Sequence, residues 1–97
     1  MRKLRFEWDE QKATSNLKKH GVSFAEAITV FYDEYARIIN DPDHSDKEDR
    51  FILMGMSAGL NYLVVCHCYR EKQDKIRIIS ARKGTKKETD QYARWRP

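Results

Sequence analysis

The sequence predicts an α+β fold, a small and mostly antiparallel sheet on which helices pack. Two β-branched, apolar runs at residues 62–69 and 75–80 are separated by a short polar linker, which is typical of a β-hairpin. Two segments with helix-start signals precede these runs, and a third follows them. We expect the order βααββββα, with two N-terminal helices on one face and a C-terminal helix. Together the elements would make one sheet and one helical layer.

The first strand and two helices are expected in the first third of the chain. Residues 4–8 alternate apolar and charged side chains, as a half-buried strand does. Asp9 is placed to cap a first helix that ends at Gly21, where glycine can adopt the left-handed conformation. Ser23 and Glu26 form a capping box that starts a second helix. The inward stripe of the first helix is thin and half polar, so we expect a polar group beside it. Its members are Ala13, Asn16, Leu17 and His20.

Four strands and one helix are expected in the rest of the chain. Strands at residues 35–40 and 50–57 flank an exposed acidic loop at residues 41–49. The hairpin follows, and its apolar run at residues 63–66 indicates a strand that is covered on both faces. A capping box at residues 85–88 then starts a basic terminal helix.

Length and charge limit the possible functions. The 97 residues are 40% apolar and 35% charged, with a formal net charge of +4. They are enough for one small core, so we expect a single domain that spans residues 1–97. The positive charge favours anionic partners such as nucleic acid or an acidic protein. No apolar run approaches the roughly 18 residues of a membrane helix, and the N-terminus lacks a secretory pattern. Cys66 and Cys68 are poorly placed to bridge each other, so we expect a reduced, cytoplasmic protein.

Arginines concentrate on the predicted hairpin. If the whole polar linker forms the turn, Arg70 lies opposite Lys75. By the same register Arg77 lies opposite Cys68, which places these three cations on one face. A register slip of one residue would instead bring Arg70 beside Arg82. In either register several guanidinium groups converge on a rigid strand pair, and because that is costly without an anion, it indicates anion binding.

Three stretches resemble the BrnT family of bacterial toxin–antitoxin ribonucleases: FEWDEQKATSNLKKHGVSFAEAITVF, HSDKEDRFILMG and YREKQDKIRIISARK. They appear in the expected order and cover nearly the whole chain. Two mild departures are Asp33-Glu34, where the family often has an Asp-Pro turn, and Gly84, where alanine is commoner. Neither departure touches the basic groups.

The resemblance implies a RelE-like ribonuclease fold and a toxin that cuts RNA without a metal ion and slows translation. It also implies a cognate antitoxin of the BrnA type, which neutralises the toxin and carries a ribbon-helix-helix DNA-binding part. Operator DNA would then be contacted only through the antitoxin complex. The assembly implied is a homodimer or a heterotetramer of two toxins and two antitoxins.

Several residues of the chain have the chemistry that RNA cleavage requires. Cleavage without a metal ion requires a base for the ribose 2′-hydroxyl, an acid for the leaving 5′ oxygen, and cations for the charge that builds on the phosphate. Arginine suits the last role, since its planar fork donates two parallel hydrogen bonds and stays charged. The best candidates are Arg70, Arg77 and Arg82, supported by Lys83 and Arg50. The alternative for any single arginine is an ion pair with the acidic loop, Glu71 or Asp74. For the set taken together we favour anion binding.

The general base is harder to assign. His20, at a helix C-terminus, has the right chemistry because imidazole exchanges protons near neutral pH. Its alternative is a structural role capping the last helical carbonyls. Glu48 and Glu71 are alternative bases, and His44 can serve as the acid. His67 points away from both cysteines, so we interpret it as a structural residue in a packed layer.

The RNA-binding candidates combine aromatic rings that can stack an unpaired base with cations that can bind phosphate. They are Trp8, Lys19, Tyr69, Lys75 and Lys83. For each aromatic ring the alternative is a place in the core.

We expect no metal ion and no cofactor. The acidic loop lacks the glycine of a calcium site, and His67 cannot join Cys66 and Cys68 around one zinc ion from a flat strand. Clustered glycines of nucleotide-binding loops are absent. Two functions remain: the ribonuclease toxin, and a non-catalytic nucleic-acid- or protein-binding module that uses the same basic face.

Overall fold

The computed structural model describes residues 3–41, 49–70 and 74–97. Its elements follow the order that the sequence predicts, with a 3₁₀ turn at Val30–Tyr32. The strands and helices are β1 (Phe6–Glu7), α1 (Glu10–His20), α2 (Phe24–Thr29), β2 (Arg37–Asn40), β3 (Phe51–Met56), β4 (Tyr62–Arg70), β5 (Lys75–Lys83) and α3 (Lys86–Trp95).

The five strands form one sheet in the order β1-β5-β4-β3-β2. β1 runs parallel to β5, and the remaining pairs are antiparallel, which confirms the predicted sheet. β2 begins at Arg37, slightly later than the sequence predicts. The β2–β3 pairing therefore stops at Met54. Two residues farther along β3, the N–H of Met56 donates to the carboxylate of Asp33 (2.7 Å) instead of to a residue of β2.

The inner face of the sheet packs against α1, α2 and the segments that flank α2. This face is defined by Leu53, Leu63, Val65 and Ile78. The helical layer contributes Val22, Phe24, Ala27 and Val30, all of them buried. Burial of a valine, leucine, isoleucine or phenylalanine side chain stabilises a fold by about 1.5–3 kcal/mol. This layer is therefore the main core.

The outer face carries Ile52, Met54, Val64 and Cys66, and α3 packs on part of it. Tyr92 and Trp95 of α3 cluster with Tyr62 and Val64. The expectation of a single helical layer is therefore corrected, because α3 covers the face opposite α1 and α2. The physical reason is that Tyr62 and Val64 alternate with two apolar residues of the inner face, so both faces of β4 need a cover. This agrees with the prediction that residues 63–66 are covered on both faces.

Asp33 ties α3 to the rest of the fold. Its Oδ2 accepts the Tyr92 hydroxyl (2.6 Å) and the Met56 N–H (2.7 Å), and its Oδ1 accepts the Tyr35 N–H (2.9 Å). Burial alone would raise the pKa of Asp33, but these hydrogen bonds and the charge of Arg96 outweigh it and lower the pKa. The ionised carboxylate thus holds α3 against the sheet edge.

Asn16 of α1 closes the edge of β5. β1 pairs with Ile76 and Arg77, and no other strand in the described part of the chain covers the later part of this edge. The Asn16 amide donates to Ala81 O (2.8 Å) and accepts from Ala81 N–H (3.0 Å), so it replaces a strand partner there. The polar group expected beside α1 is therefore the backbone of β5. Leu17 is 51% exposed, and its place in the inward stripe was predicted wrongly.

His67 lies in the inner layer, as the sequence predicts. Its side chain is fully buried, with ring centroids 4.9 Å from Phe31 and 5.4 Å from Tyr69. Among the described residues, its Nε2 has no hydrogen-bond partner. Burial lowers the pKa of His67 to about 4, so the ring is neutral at physiological pH.

Replacing Asn16 by alanine should lower the free energy of unfolding by roughly 2–4 kcal/mol, because the buried N–H and C=O of Ala81 lose their partner. Urea unfolding followed by tryptophan fluorescence measures the change. Lys18→Ala, exposed on the same helix, is the control and should change stability by less than about 0.5 kcal/mol. A loss no larger than that of the control would contradict the role of Asn16.

The stability of the protein should fall on mild acidification because of His67. Its folded pKa lies below the unfolded value of about 6.5, so protons bind the unfolded chain preferentially between that pH and about pH 4. The free energy of unfolding should therefore fall by at most about 1.4 kcal/mol per pH unit in this window. His67→Phe should flatten the slope between pH 6.5 and 5, whereas Lys18→Ala, which leaves every histidine in place, should keep it. An unchanged slope in His67→Phe would count against this explanation.

Candidate active site

A β-bulge decides where the arginines of the hairpin point. Cys66 pairs with Ser80 while His67 pairs with Ile78, so Ile79 is one extra residue on β5. Without the bulge, side chains five residues apart on β5 would face opposite ways. The bulge brings the end of β5 back into phase with its beginning.

The three hairpin arginines therefore share the outer face. Arg70 pairs with Lys75 and Arg77 pairs with Cys68, which confirms the predicted register and rules out the one-residue slip at this end. Arg82 pairs with Val64. Since Val64, Cys68 and Arg70 alternate on the same side of β4, their partners on β5 lie on that side too.

These arginines form two groups rather than one. Nη1 of Arg77 lies 3.3 Å from Glu7 Oε2, and Nη1 of Arg70 lies 3.8 Å from the same oxygen. Arg82 lies at the other end of β5 and binds Glu88. The sequence correctly predicts that Arg70, Lys75 and Arg77 lie on one face. Among the described residues, the carboxylates of Glu7 and Glu88 lie beside these arginines. The alternative partners in the acidic loop at residues 42–48 and at Glu71 lie outside the described residues.

Glu88 fixes the direction of Arg82. Arg82 Nη1 donates to Glu88 Oε1 (2.8 Å) and Nη2 donates to Oε2 (3.0 Å). This hydrogen-bonded pair is the main reason that the pKa of Glu88 is lowered to about 2. Glu88 also accepts the Thr85 N–H (2.8 Å) in the predicted capping box of α3. With a further bond from Nη1 to Lys83 O, the described residues occupy three of the five N–H donors of Arg82.

A cleft of about 300 Å³ opens on the outer face beside Arg82. Three predicted catalytic residues line it, each from a different element: His20 ends α1, Arg50 precedes β3, and Arg82 lies near the end of β5. We call this the outer-face cleft. Its polar lining is His20, Asp41, Arg50, Cys66, Ser80 and Arg82.

His20 reaches the cleft because of how α1 ends. Gly21 adopts a left-handed conformation with φ of 70° and donates its N–H to Leu17 O (2.8 Å), which stops the helix. The imidazole is left beside Ile79 and Ser80 on the edge of β5. It thus lies next to the bulge itself.

A second groove adjoins the cleft around this edge. Lys12 and Lys19 line it together with His20 and Ser80. The structure therefore brings the predicted RNA-binding Lys19 to the same edge as His20. His20 lines both cavities, whose other charged lining residues are four cations and two carboxylates: Lys12, Lys19, Arg50, Arg82, Asp9 and Asp41.

Asp41 and Cys66 are cleft residues that the sequence reasoning missed. The Cys66 thiol donates to Asp41 Oδ2 (3.6 Å). Burial and the Asp41 carboxylate raise the pKa of Cys66 to about 11, so the thiol stays protonated at neutral pH. Asp41 N–H donates to Arg50 O (2.9 Å), which extends the β2–β3 ladder by one step. If the predicted pairing of β2 and β3 is continued by one residue beyond Asn40, Asp41 lies opposite Arg50. That pairing could have predicted its place in the cleft.

The other predicted RNA-binding residues lie away from the cleft. Trp8 packs on Phe24 and donates its indole N–H to Glu10 (2.9 Å). Lys83 pairs with an inner-face residue of β4, and Tyr69 and Lys75 lie at the hairpin end of the sheet. Predictions for His44, Glu48 and Glu71 fall outside the described residues.

Within residues 3–41, 49–70 and 74–97, no three histidine, cysteine or acidic side chains are grouped so that they could hold a metal ion. The expectation of a metal-free reaction stays a prediction. In the same ranges, no helix has the length and apolar character needed to cross a membrane.

Comparisons with known proteins agree on one family. The family described as "Ribonuclease toxin, BrnT, of type II toxin-antitoxin system" matches residues 8–88. Among solved structures, the chain is similar to the Brucella abortus ribonuclease toxin BrnT, with 24% identity and a TM-score of 0.65 over 87% of this chain and 100% of that chain. No curated protein sequence matches the chain. The structural match shows the fold, and the family match spans most of the sequence.

The Arg82–Glu88 pair should give the protein a distinct acid sensitivity. Because the folded pKa of Glu88 is lowered to about 2, its contribution is present above the unfolded pKa and is lost as the pH falls from about 4.5 to about 2. The Arg82 side chain is 42% exposed, so we expect only about 1–2 kcal/mol after solvent screening.

Glu88→Gln should therefore lower the free energy of unfolding at pH 7 and flatten its decline below pH 4.5. Asp90→Asn removes the exposed Lys86–Asp90 pair (3.5 Å) and should cost less than about 0.5 kcal/mol. Denaturant unfolding over a pH series measures both variants. Equal effects from the two would show that the Arg82–Glu88 pair is an ordinary surface ion pair.

Proposed function

This chain belongs to the BrnT family of ribonuclease toxins from type II toxin–antitoxin systems, and on that premise we propose that it is a metal-independent endoribonuclease. It cleaves RNA by attack of a ribose 2′-hydroxyl on the adjacent phosphate and thereby inhibits translation. Residues 1–97 act as one toxin domain in the cytoplasm. The observation that carries the proposal is the outer-face cleft, where His20, Arg50 and Arg82 meet.

The two arginines of the cleft supply the cationic part of the reaction. In-line attack on the phosphate builds negative charge on its non-bridging oxygens, and guanidinium groups stabilise that charge. Glu88 holds Arg82 in place, and two of the Arg82 N–H donors are not used by the described residues. A fork that is fixed before RNA binds loses little entropy when it grips the phosphate.

His20 acts as the general base. It takes the proton of the 2′-hydroxyl, the oxygen attacks phosphorus, and the bond from phosphorus to the 5′ oxygen breaks. The leaving oxygen takes a proton from solvent, which leaves a 2′,3′-cyclic phosphate and a 5′-hydroxyl end. Glu48 stays the alternative base. Arg70 and Arg77, at the other end of the outer face, bind the RNA backbone.

A BrnA-like antitoxin is the proposed partner. The family is defined by type II systems, in which the toxin is paired with an antitoxin. We place the toxin in a homodimer or in a heterotetramer of two toxins and two antitoxins. Operator DNA is contacted only through that complex. An acidic or amphipathic segment of the antitoxin suits the basic outer face.

Cleavage assays with purified toxin test the mechanism. Wild type should cleave single-stranded RNA in the presence of EDTA and leave 2′,3′-cyclic phosphate ends. His20→Ala should cleave about 10²–10⁴-fold more slowly, and Arg50→Ala/Arg82→Ala at least about 10²-fold more slowly.

Lys87→Ala, exposed on α3, is the matched control and should cleave like wild type. Circular dichroism checks that each variant is folded, and Arg82→Lys keeps the charge while it removes the fork. Inhibition by EDTA, or equal rates for the cleft variants and the control, would contradict the proposal.

A non-catalytic binding module is the second candidate, because Arg77 and Arg82 already have carboxylate partners. This function predicts RNA or protein binding with no RNA cleavage by the wild type. The same assay therefore separates the two candidates.

A further inference from the structure

The groove that adjoins the outer-face cleft follows α1 and has a volume of about 420 Å³. We call it the α1 groove. His20, Ile79 and Ser80 line both the groove and the cleft, so the two cavities meet at the bulge of β5. A strand of RNA that leaves the cleft across this edge of the sheet therefore enters the α1 groove.

Two lysines lie on the side of α1 that borders the groove. Lys12 and Lys19 are seven residues apart, which is about two helical turns and roughly 10 Å along the helix axis. Asn16 lies between them and is hydrogen-bonded to the backbone of Ala81, so this side of the helix is fixed against β5. The lysines thus form a row of two cations that ends beside His20.

The charge of the α1 groove favours a polyanion. Besides His20, its charged lining is Lys12, Lys19 and one carboxylate, that of Asp9. Asp9 caps α1 by accepting the N–H groups of Gln11 (2.8 Å) and Lys12 (3.1 Å), so its charge lies against the positive end of the helix. Both lysines are exposed, and none of the ion pairs within the described residues involves either of them.

The lining suits the RNA backbone better than the bases. Among the described residues that line the groove, none is aromatic. Recognition of a base in single-stranded RNA commonly uses stacking on an aromatic ring, whereas lysine and serine side chains bind phosphate oxygens of any sequence. Besides Lys12 and Lys19, the groove offers the hydroxyl of the exposed Ser15.

We propose that the α1 groove binds the RNA backbone next to the reacting phosphate, with Lys12 and Lys19 each contacting one phosphate and no base being read there. This inference rests on the proposed function, because it assigns the cleft to the reacting phosphate. The RNA turns around the edge of β5 to reach α1, and a single strand bends at lower cost than a stiff duplex. The substrate class is therefore single-stranded RNA that extends at least two phosphates beyond the one that reacts.

Binding can be measured apart from cleavage with eight-nucleotide 2′-O-methyl RNAs, which lack the attacking hydroxyl. Fluorescence anisotropy compares wild type with Lys12→Gln/Lys19→Gln over a salt series. Each phosphate contact on a single strand contributes about 0.7 to the steepness of log affinity against log salt. The double variant should therefore reduce this steepness by about 1.4 and weaken binding about 25-fold in 0.1 M salt, with little effect near 1 M.

The matched control is Lys18→Gln/Lys87→Gln, which removes the same net charge at exposed positions that line neither cavity. It should weaken binding less than about threefold, because charges farther from the RNA than a Debye length are screened. The groove variant should weaken binding of oligouridylate and oligoadenylate by the same factor. Equal losses in the two double variants, or a loss confined to one RNA sequence, would overturn the proposal.

Failure of the proposed function gives a different result. If wild type does not cleave unmodified RNA, the ribonuclease mechanism is contradicted, whereas the two double variants still decide the role of the groove in binding. If wild type does cleave it, Lys12→Gln/Lys19→Gln should raise KM and keep kcat close to wild type, because the lysines hold phosphates that do not react. A lower kcat with an unchanged KM would contradict the groove as a site for flanking phosphates.

Discussion

The single extra residue in β5 is the constraint on which the candidate site depends. Ile79 shifts the phase of the strand, so that Arg82 joins Arg77 on the outer face instead of pointing into the inner core. An arginine on the inner face would lie among Leu63 and Val65, where an unpaired charge is costly. The bulge thus serves the packing of the core and the placement of the cation together. His20 lies beside the same irregularity, at an edge of β5 that no strand of the described residues covers.

The outer face is organised by α3 as much as by the sheet. The helix begins where Glu88 completes its capping box, and the same carboxylate holds Arg82. Farther along, Tyr92 reaches Asp33 and Trp95 donates to Tyr35 O (2.9 Å). The start of the helix therefore orients a guanidinium group, and the rest of it covers apolar strand residues. This divides the outer face into a packed part and a basic part.

Local signals in the sequence predict most elements of the fold and only part of the site. Caps, alternation and the polar linker are read over a few residues, and they predict the helix starts, the hairpin register near Arg70 and the structural place of His67. The bulge at Ile79 and the face chosen by α3 depend on contacts between distant segments. So do the exchange of hydrogen bonds between Asn16 and β5 and the entry of Asp41 into the cleft. The sequence accordingly predicts a basic outer face, but not the separation of its arginines into one group at Glu7 and another at Glu88.

The central claim is that RNA reacts in the outer-face cleft. A crystal structure of the protein with a 2′-O-methyl RNA, which cannot be cleaved by its own 2′ oxygen, tests it most directly. The account predicts a phosphate within hydrogen-bond distance of Arg50 and Arg82, with His20 beside the 2′ oxygen. An RNA strand that crosses the protein without entering this cleft would contradict it.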